Sequence, residues 1–252
     1  MSTVTSGFVE HDGATTHYLD CRPAEGELIE ADVPPILFIP GMTDVADDYR
    51  KIADHTGRRT VVVDLRAHGK STAISNWDID GHASDIDAVA RVVIDGPVHL
   101  MTFSRGTCYS LAWCSAQSDR VLSLTIGDYP AREIGLTSET ADRLLGTTWR
   151  GTPVRERVDE VAFEKVVAAS VDRPLWHVVD ELQVPVTVVR SSANVPMNDA
   201  DWERYGELGV RRIRYDDSPH DIFRTDRGRY PRLAAEVAAD VDRQTAAHRA
   251  ST

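Results

Sequence analysis

Short apolar runs alternate along this chain with longer segments of helical periodicity. The apolar runs are continuous, without a polar residue at every second position, which is typical of strands buried on both faces of a parallel sheet. They occupy residues 35–42, 60–65, 97–103, 121–127 and 185–190, and a last strand is predicted near residues 211–215. The clearest intervening helix is Ile79 to Ile94, where one face carries Ile86, Val89, Ala90 and Val93. The alternation predicts an α/β protein with a mostly parallel, doubly wound sheet.

Two parts of the chain depart from this rhythm. Residues 8–19 predict a β-hairpin that turns at Asp12-Gly13. Residues 130–182 contain helix-forming stretches but no strand-like run, which indicates a helical insertion over one edge of the sheet. The predicted domains are therefore a core of residues 1–129 and 183–252 and a small helical cap of residues 130–182.

Composition narrows the class of partner. The 252 residues include 40 Asp and Glu against 28 Lys and Arg, and the net charge of −12 would repel nucleic acid and anionic membranes. The chain begins without a basic region followed by an apolar core, and no apolar run approaches the roughly 20 residues that span a bilayer. Three cysteines, Cys21, Cys108 and Cys114, suit a reducing compartment. We therefore expect a cytoplasmic protein that acts on a small molecule; a homodimer is compatible with the sequence.

Candidate chemistry begins at Ser104. It follows a buried strand and precedes Gly106 and a predicted helix, as the serine of a nucleophile elbow does. The usual pattern is G-x-S-x-G, and Thr102 stands in place of the first glycine. Cys108 and Cys114 lie on the predicted helix after the serine, where we expect them to pack in the core.

A serine hydroxyl needs a neighbouring base before it can attack a carbonyl carbon. Of nine histidines, His220 fits best, because it lies in the loop after the last predicted strand and could return to the edge that carries Ser104. The oxyanion of an acyl transfer needs preorganised N–H donors. The backbone N–H groups of Met42, after the first long buried strand, and of Arg105 are the natural pair.

The chain resembles the serine-nucleophile branch of the α/β-hydrolase superfamily from about residue 8 to residue 245. Four segments carry the resemblance, and in chain order they are the run Phe38–Met42, the run Asp64–Ser71, the elbow at Ser104 and the loop at His220. The second is similar to the family's D-x-R-G-H-G-x-S run, with Ala67 for the first glycine. The resemblance implies the α/β-hydrolase fold with a small helical cap, a nucleophile–acid–histidine order, and no cofactor or metal.

The acid departs from the family pattern. Most relatives carry an aspartate in the loop after the strand that here ends at Arg190, but residues 191–197 contain no carboxylate. Some members take the acid from the end of the preceding strand, where this chain has Asp128. Asp199, further along and in the next predicted helix, is the alternative, and an incomplete triad is a third. Asn194 could hold a histidine tautomer but could not stabilise the imidazolium by charge.

These residues favour a serine hydrolase of a small carboxylic ester, thioester or lactone that works through an acyl-enzyme. The same triad also serves C–C bond hydrolases, lyases and cyclases among relatives, and a non-catalytic receptor is a third interpretation.

The cap would set substrate specificity. Its large side chains either line the cleft or pack within the cap, and they are Trp149, Phe163, Leu175 and Trp176. Of these, Trp149 and Trp176 are the candidate substrate-binding residues. Five arginines in the first half of the cap either meet an anionic substrate or, as the default, form a solvated surface beside nearby carboxylates; they are Arg132, Arg143, Arg150, Arg155 and Arg157.

Overall fold

The computed structural model describes residues 2–24, 33–193 and 195–250, and a nine-stranded sheet runs through this part of the chain. The strands, including four short ones outside this sheet, are β1 Thr3–His11, β2 Ala14–Arg22, β3 Ile36–Ile39, β4 Thr60–Val63, β5 Thr72–Ala73, β6 Val98–Phe103, β7 Val121–Gly127, β8 Arg132–Glu133, β9 Thr148–Trp149, β10 Thr152–Pro153, β11 Arg173–Pro174, β12 Val186–Ser191 and β13 Arg211–Tyr215.

The strand order is β1-β2-β4-β3-β6-β7-β12-β13, with β5 paired to β2. Strands β4, β3, β6, β7, β12 and β13 are parallel, and β1 and β2 form the antiparallel edge. The predicted mostly parallel sheet is therefore confirmed. The hairpin turns where expected, because Asp12 and Gly13 both have positive φ, at 43° and 74°, as a tight two-residue turn requires.

Helices cover both faces of the sheet. They are α1 Ile52–Thr56, α2 Ile79–Val89, α3 Gly106–Gln117, α4 Ser138–Leu145, α5 Glu160–Ala169, α6 Trp176–Glu181, α7 Asp199–Glu207 and α8 Arg229–Ala250. Helix α2 ends earlier than predicted, because residues 90–94 wind into a π-helical turn. Helices α2, α3, α6 and α7 pack on one face, and α1 and α8 pack on the other. Because helices cover both faces of the sheet, the side chains of the central strands are buried on both sides, which explains why these strands are apolar throughout.

The predicted cap divides into two parts. Helices α4 and α5 share an apolar cluster of their own, with Leu145 and Phe163 among its buried members. Helix α6 instead packs against α3, and its Val178 and Val179 belong to the main core. Two short antiparallel pairs, β8 with β11 and β9 with β10, also lie in this region. The segment 130–182 thus combines a helical lid with a helix that belongs to the core by its packing.

The three cysteines lie in the core as free thiols, as predicted for Cys108 and Cys114. Burial raises the pKa of each thiol to about 12, so all three are protonated and poorly nucleophilic at neutral pH.

The carboxyl ends of the parallel strands place several loops at one edge of the sheet. Strand β6 ends beside β3 on one side and beside β7 on the other, with Ile39 opposite Thr102 and Gly127 opposite Phe103. Strand β12 follows on the far side of β7, with Val189 opposite Gly127. The residues that continue these strands therefore meet in space, at the edge where open α/β sheets bind ligands.

Candidate active site

Ser104 occupies a strained turn between β6 and α3. Its φ is +49°, a left-handed conformation that costs a non-glycine residue about 1–3 kcal/mol. The turn is held by the Ser104 N–H, which donates to the Gly127 carbonyl at 2.8 Å. A Cβ at Gly106 would overlap the carbonyl oxygens of Ile39 and Pro40, so the close approach of helix and strand requires glycine there. This is the geometry of a nucleophile elbow.

The threonine in place of the first elbow glycine fits without strain. Thr102 is a regular residue of β6 and is fully buried. Its hydroxyl shares a 2.9 Å hydrogen bond with the hydroxyl of Thr107 on α3. The strand–helix contact that glycine would make by close packing is made here by a pair of hydroxyls.

Ser104, His220 and Asp128 form a continuous hydrogen-bonded chain. The Ser104 Oγ lies 2.8 Å from His220 Nε2, and His220 Nδ1 lies 2.7 Å from Asp128 Oδ2. The Asp128 side chain is 1% exposed, whereas that of His220 is 31% exposed. Phe103 stacks on the imidazole with ring centroids 5.4 Å apart. The arrangement lets Nε2 take a proton from Ser104 while Asp128 holds the proton on Nδ1.

Asp128 is held in turn by Ser191, which the sequence reasoning missed. Ser191, the last residue of β12, donates to Asp128 Oδ1 from its N–H at 2.8 Å and to Oδ2 from its hydroxyl at 2.7 Å. Asp128 itself has a φ of +52° and donates its N–H to Val189. The only signal in the sequence was that Ser191 begins the loop expected to carry the acid.

The alternative acid lies elsewhere. Asp199 is on α7, its side chain is 86% exposed, and it pairs with Arg190 at 2.7 Å. The structure thus brings Asp128, and not Asp199, to the histidine. Asn194, considered above as a tautomer-holding group, lies outside the described residues.

The two predicted oxyanion donors flank the serine. A Cβ on Gly41 would lie 2.9 Å from the Ser104 Cβ, so the turn that carries Met42 approaches the nucleophile directly. Arg105 stands at the N-terminus of α3, whose helix dipole favours a developing negative charge. Outside the helices and strands, no hydrogen bond joins the N–H of Met42 or Arg105 to a described residue. Both N–H groups therefore remain candidates for the oxyanion donors predicted from the sequence.

The positive charge of the Arg105 side chain is paired within the protein and is not directed at the cavity. It is buried, with Nη2 3.1 Å from the Glu133 carboxylate and Nη1 2.7 Å from the Ile134 carbonyl oxygen. Its Nε donates to the hydroxyl of Tyr109 at 2.9 Å. The guanidinium is neutralised within the protein, and its role is to anchor the start of α3 to β8.

A cavity of about 570 Å³ opens above Ser104 and His220, within the range of small-molecule sites. Its walls are mainly apolar and include Phe103, Ile134, Leu136, Leu144, Trp149 and Val195. Thr148 and Trp149 also line a second cavity of about 400 Å³.

The large side chains of the predicted cap lie in different environments, either the cleft wall or the packed interior. Trp149 lies in the wall of the cleft, as its candidate substrate-binding role requires. Trp176 does not line the cleft, and that prediction is wrong. Its ring packs edge-to-face on Tyr205 with centroids 4.8 Å apart, because α6 is part of the core. Phe163 and Leu175 are buried packing residues.

Arg150, in the turn between β9 and β10, joins the cap to the histidine loop. Its Nη2 lies 2.9 Å from the Tyr49 hydroxyl and 3.1 Å from the carboxylate of Asp221, the residue after His220. Its Nε is 3.5 Å from Asp44, a buried carboxylate that also accepts the Trp149 indole N–H at 2.7 Å. Burial raises the pKa of Asp44 above its usual range, and Arg150 opposes that shift. No local pattern in the sequence signals this cluster.

Replacing Arg150 with glutamine is expected to lower the free energy of unfolding by about 3 kcal/mol, because Asp44 and Asp221 lose their buried cation. Urea unfolding at neutral pH measures the change. Arg155→Gln is the matched control: Arg155 belongs to the same region but pairs with Glu160 in solvent, where an ion pair contributes less than about 1 kcal/mol. Equal losses in the two variants would contradict a special role for the buried cluster.

A second Ser–His–Asp chain lies on the antiparallel edge of the sheet. Ser6 Oγ is 2.8 Å from His17 Nε2, and His17 Nδ1 is 2.7 Å from Asp64 Oδ2. None of the three lines the cleft, and Ser6 lies within regular β1 rather than at an elbow. Asp64 also accepts hydrogen bonds from the backbone N–H groups of Ala46 and Lys70. The Ser6–His17–Asp64 network therefore connects the hairpin to the rest of the sheet.

Over the described ranges, no group of three or more histidine, cysteine, aspartate or glutamate side chains is arranged to hold a metal ion. A membrane-crossing helix would need greater length and apolarity than any helix in the described part of the chain possesses.

Known proteins share this fold. A family model described as the alpha/beta hydrolase fold matches residues 34–155. The lipase LipV of Mycobacterium tuberculosis is 27% identical over 128 residues, and the chain spans about half the length of this curated relative, 49%. Among solved structures, the enol-lactonase of Burkholderia xenovorans superposes with a TM-score of 0.73 at 16% identity, over 93% of this chain and 99% of that one. An esterase of Exiguobacterium antarcticum gives 0.73 at 16% identity, over 93% and 100%.

The matched segment contains the first buried strand, the Asp64–Ser71 run and the elbow, and the superpositions extend over nearly the whole chain. The sheet order, the helices on both faces and the strained serine after β6 agree with these matches. The chain has the α/β-hydrolase fold, and residues 34–155 match the family model described by that fold.

Proposed function

We propose that the protein is a serine hydrolase of small carboxylic esters, thioesters or lactones. The observation that carries the proposal is the Ser104–His220–Asp128 hydrogen-bonded chain at the floor of a cavity. A lipase, an esterase and a lactonase among the similar proteins support the same class of substrate.

In the acylation step, Ser104 Oγ bonds to the carbonyl carbon as its proton passes to His220 Nε2. The carbonyl oxygen becomes an oxyanion, which the N–H groups of Met42 and Arg105 stabilise. The C–O or C–S bond to the leaving group then breaks, and the leaving group takes the proton from Nε2. Asp128 stabilises the imidazolium between these two transfers.

Deacylation repeats the sequence with water. His220 takes a proton from water, the hydroxide oxygen bonds to the acyl carbon, and the bond to Ser104 Oγ breaks as the proton returns to the serine. The products are a carboxylic acid, an alcohol or thiol (joined in one molecule for a lactone), and the free enzyme. The mechanism requires no group other than the residues named and water.

The test combines covalent labelling with turnover. A fluorophosphonate should add once to the folded protein, on the peptide that contains Ser104, as intact and peptide mass spectrometry would show. p-Nitrophenyl esters from acetate to decanoate should be hydrolysed, with the rate depending on acyl length because the cavity is bounded. Labelling without ester hydrolysis would favour C–C cleavage or lyase chemistry at the same serine, and absence of both would contradict the proposal.

A further inference from the structure

The lining of the cleft is depleted of negative charge. The chain has 40 Asp and Glu residues against 28 Lys and Arg. Yet no Asp or Glu is among the described residues that line the cavity, which include Arg105, Arg143 and His220. The Arg105 guanidinium is already neutralised by Glu133, as described above. Arg143 is therefore the cation whose charge the cavity receives.

Arg143 differs from the other arginines of the same region. Residues 130–182 contain six arginines, and five of them form ion pairs with carboxylates: Arg132 with Asp201, Arg150 with Asp221, Arg155 with Glu160, Arg157 with Asp48 and Arg173 with Asp80. The side chain of Arg143, an exposed residue, forms no ion pair or hydrogen bond with another side chain or carbonyl group in the described ranges. The unpaired arginine is the one that lines the cleft.

The surroundings of Arg143 suit an anion at the end of an apolar chain. It lies in the last turn of α4, and Thr140, Leu144 and Thr147 from the same stretch also line the cavity. The same cavity lining includes apolar Leu136 and Ile134. Arg143 is exposed at the rim of the cavity. A guanidinium binds a carboxylate by charge-assisted hydrogen bonds that are stronger than those between neutral groups.

We infer that the substrate carries a carboxylate at the end of an apolar segment and that Arg143 binds it. The inference rests on the proposed ester hydrolysis and names the substrate class of that site. Neutral esters of the same length would lack the ionic contact. Carboxylate-bearing esters would be drawn to Arg143, because the described lining of the cleft contains no Asp or Glu.

Two pairs of esters test the inference. Mono-p-nitrophenyl adipate and p-nitrophenyl hexanoate share a six-carbon acyl chain and differ in the terminal carboxylate. 4-Hexanoyloxybenzoate and phenyl hexanoate place the same difference on the alcohol side. The wild type should prefer the charged member of at least one pair. Arg143→Gln should lower that kcat/KM ratio by about tenfold, mainly through KM, and Arg143→Glu should lower it further.

Restoring the charge is the complementary test. Arg143→Lys should recover part of the preference, because it keeps a cation but loses the bidentate geometry. Salt at about 0.5 M should reduce the preference of the wild type and not that of Arg143→Gln. Arg155→Gln, which removes a paired arginine of the same region, should leave the ratio unchanged. A ratio that Arg143→Gln and Arg143→Glu do not alter for either pair would overturn the inference.

A binding measurement separates this inference from the proposed hydrolysis. Monomethyl adipate and methyl hexanoate can be titrated calorimetrically into Ser104→Ala and into Ser104→Ala/Arg143→Gln, where turnover plays no part. Tighter binding of the adipate ester that depends on Arg143 supports the inference even if no ester is cleaved. Equal binding of the two esters to Ser104→Ala contradicts it even if the wild type hydrolyses both.

Discussion

Ser104→Ala should lower kcat for p-nitrophenyl ester hydrolysis by about 10⁶-fold and should abolish fluorophosphonate labelling, because no other group takes the place of the attacking oxygen. The fold should survive, since alanine keeps the Cβ and removes only the oxygen that bonds His220 Nε2 at 2.8 Å. Steady-state kinetics and intact-protein mass spectrometry measure the two effects. Circular dichroism and the Tm establish that the variant is folded.

Ser115→Ala is the matched control for this variant. Ser115 is an exposed residue of α3, the helix that follows Ser104, and its hydroxyl donates a hydrogen bond to the Ala112 carbonyl oxygen at 2.7 Å. Its replacement should change neither labelling nor kcat. A folded Ser104→Ala protein that keeps more than about a hundredth of the wild-type rate would show that hydrolysis does not proceed through this serine.

Asp128→Asn should lower kcat by about 10³–10⁴-fold while the protein remains folded. The Asp128 carboxylate accepts three hydrogen bonds, two from Ser191 and one from His220 Nδ1. An asparagine that keeps its oxygen toward the Ser191 N–H turns its amide N–H₂ group toward Nδ1. The histidine proton then moves to Nε2, which can no longer accept the proton of Ser104.

Asp199→Asn is the control, because it makes the same chemical change at the acid that the structure places away from His220. Its kcat should match the wild type. The comparison needs kcat and the rate of fluorophosphonate labelling for both variants, since labelling reports on serine activation without deacylation. A larger loss in Asp199→Asn than in Asp128→Asn would reject the triad as described.

The sheet could be predicted because its central strands are buried on both faces. Their apolar runs need no knowledge of distant residues, and the elbow at Ser104 is likewise a local strand–turn–helix signal. His220 could be proposed because it follows a strand whose carboxyl end lies at the edge that carries Ser104. Asp128 could be proposed because some members of the family that the sequence resembles take the acid from the end of the strand that Asp128 follows. The structure brings these three residues into hydrogen-bonding distance.

Other features depend on contacts that leave no local pattern. Ser191 and Asp128 are 63 residues apart, and neither position looks unusual within its own strand. Arg150 reaches Asp221 across 71 residues, so its role could not be separated from that of the exposed arginines nearby. Trp176 was misjudged for the same reason. Whether an aromatic side chain faces a cleft or a core is set by its tertiary neighbour, here Tyr205.

The indole of Trp149 stands in the wall of the catalytic cleft and of the neighbouring cavity of about 400 Å³. A small residue at this position would remove an indole that borders both cavities, and we expect the space beside Ser104 to become larger. The substitution would also cost Asp44 the hydrogen bond from the indole N–H, whereas Ser104, His220 and Asp128 would keep their contacts. For the proposed hydrolase, we therefore expect that one substitution at Trp149 admits longer substrates.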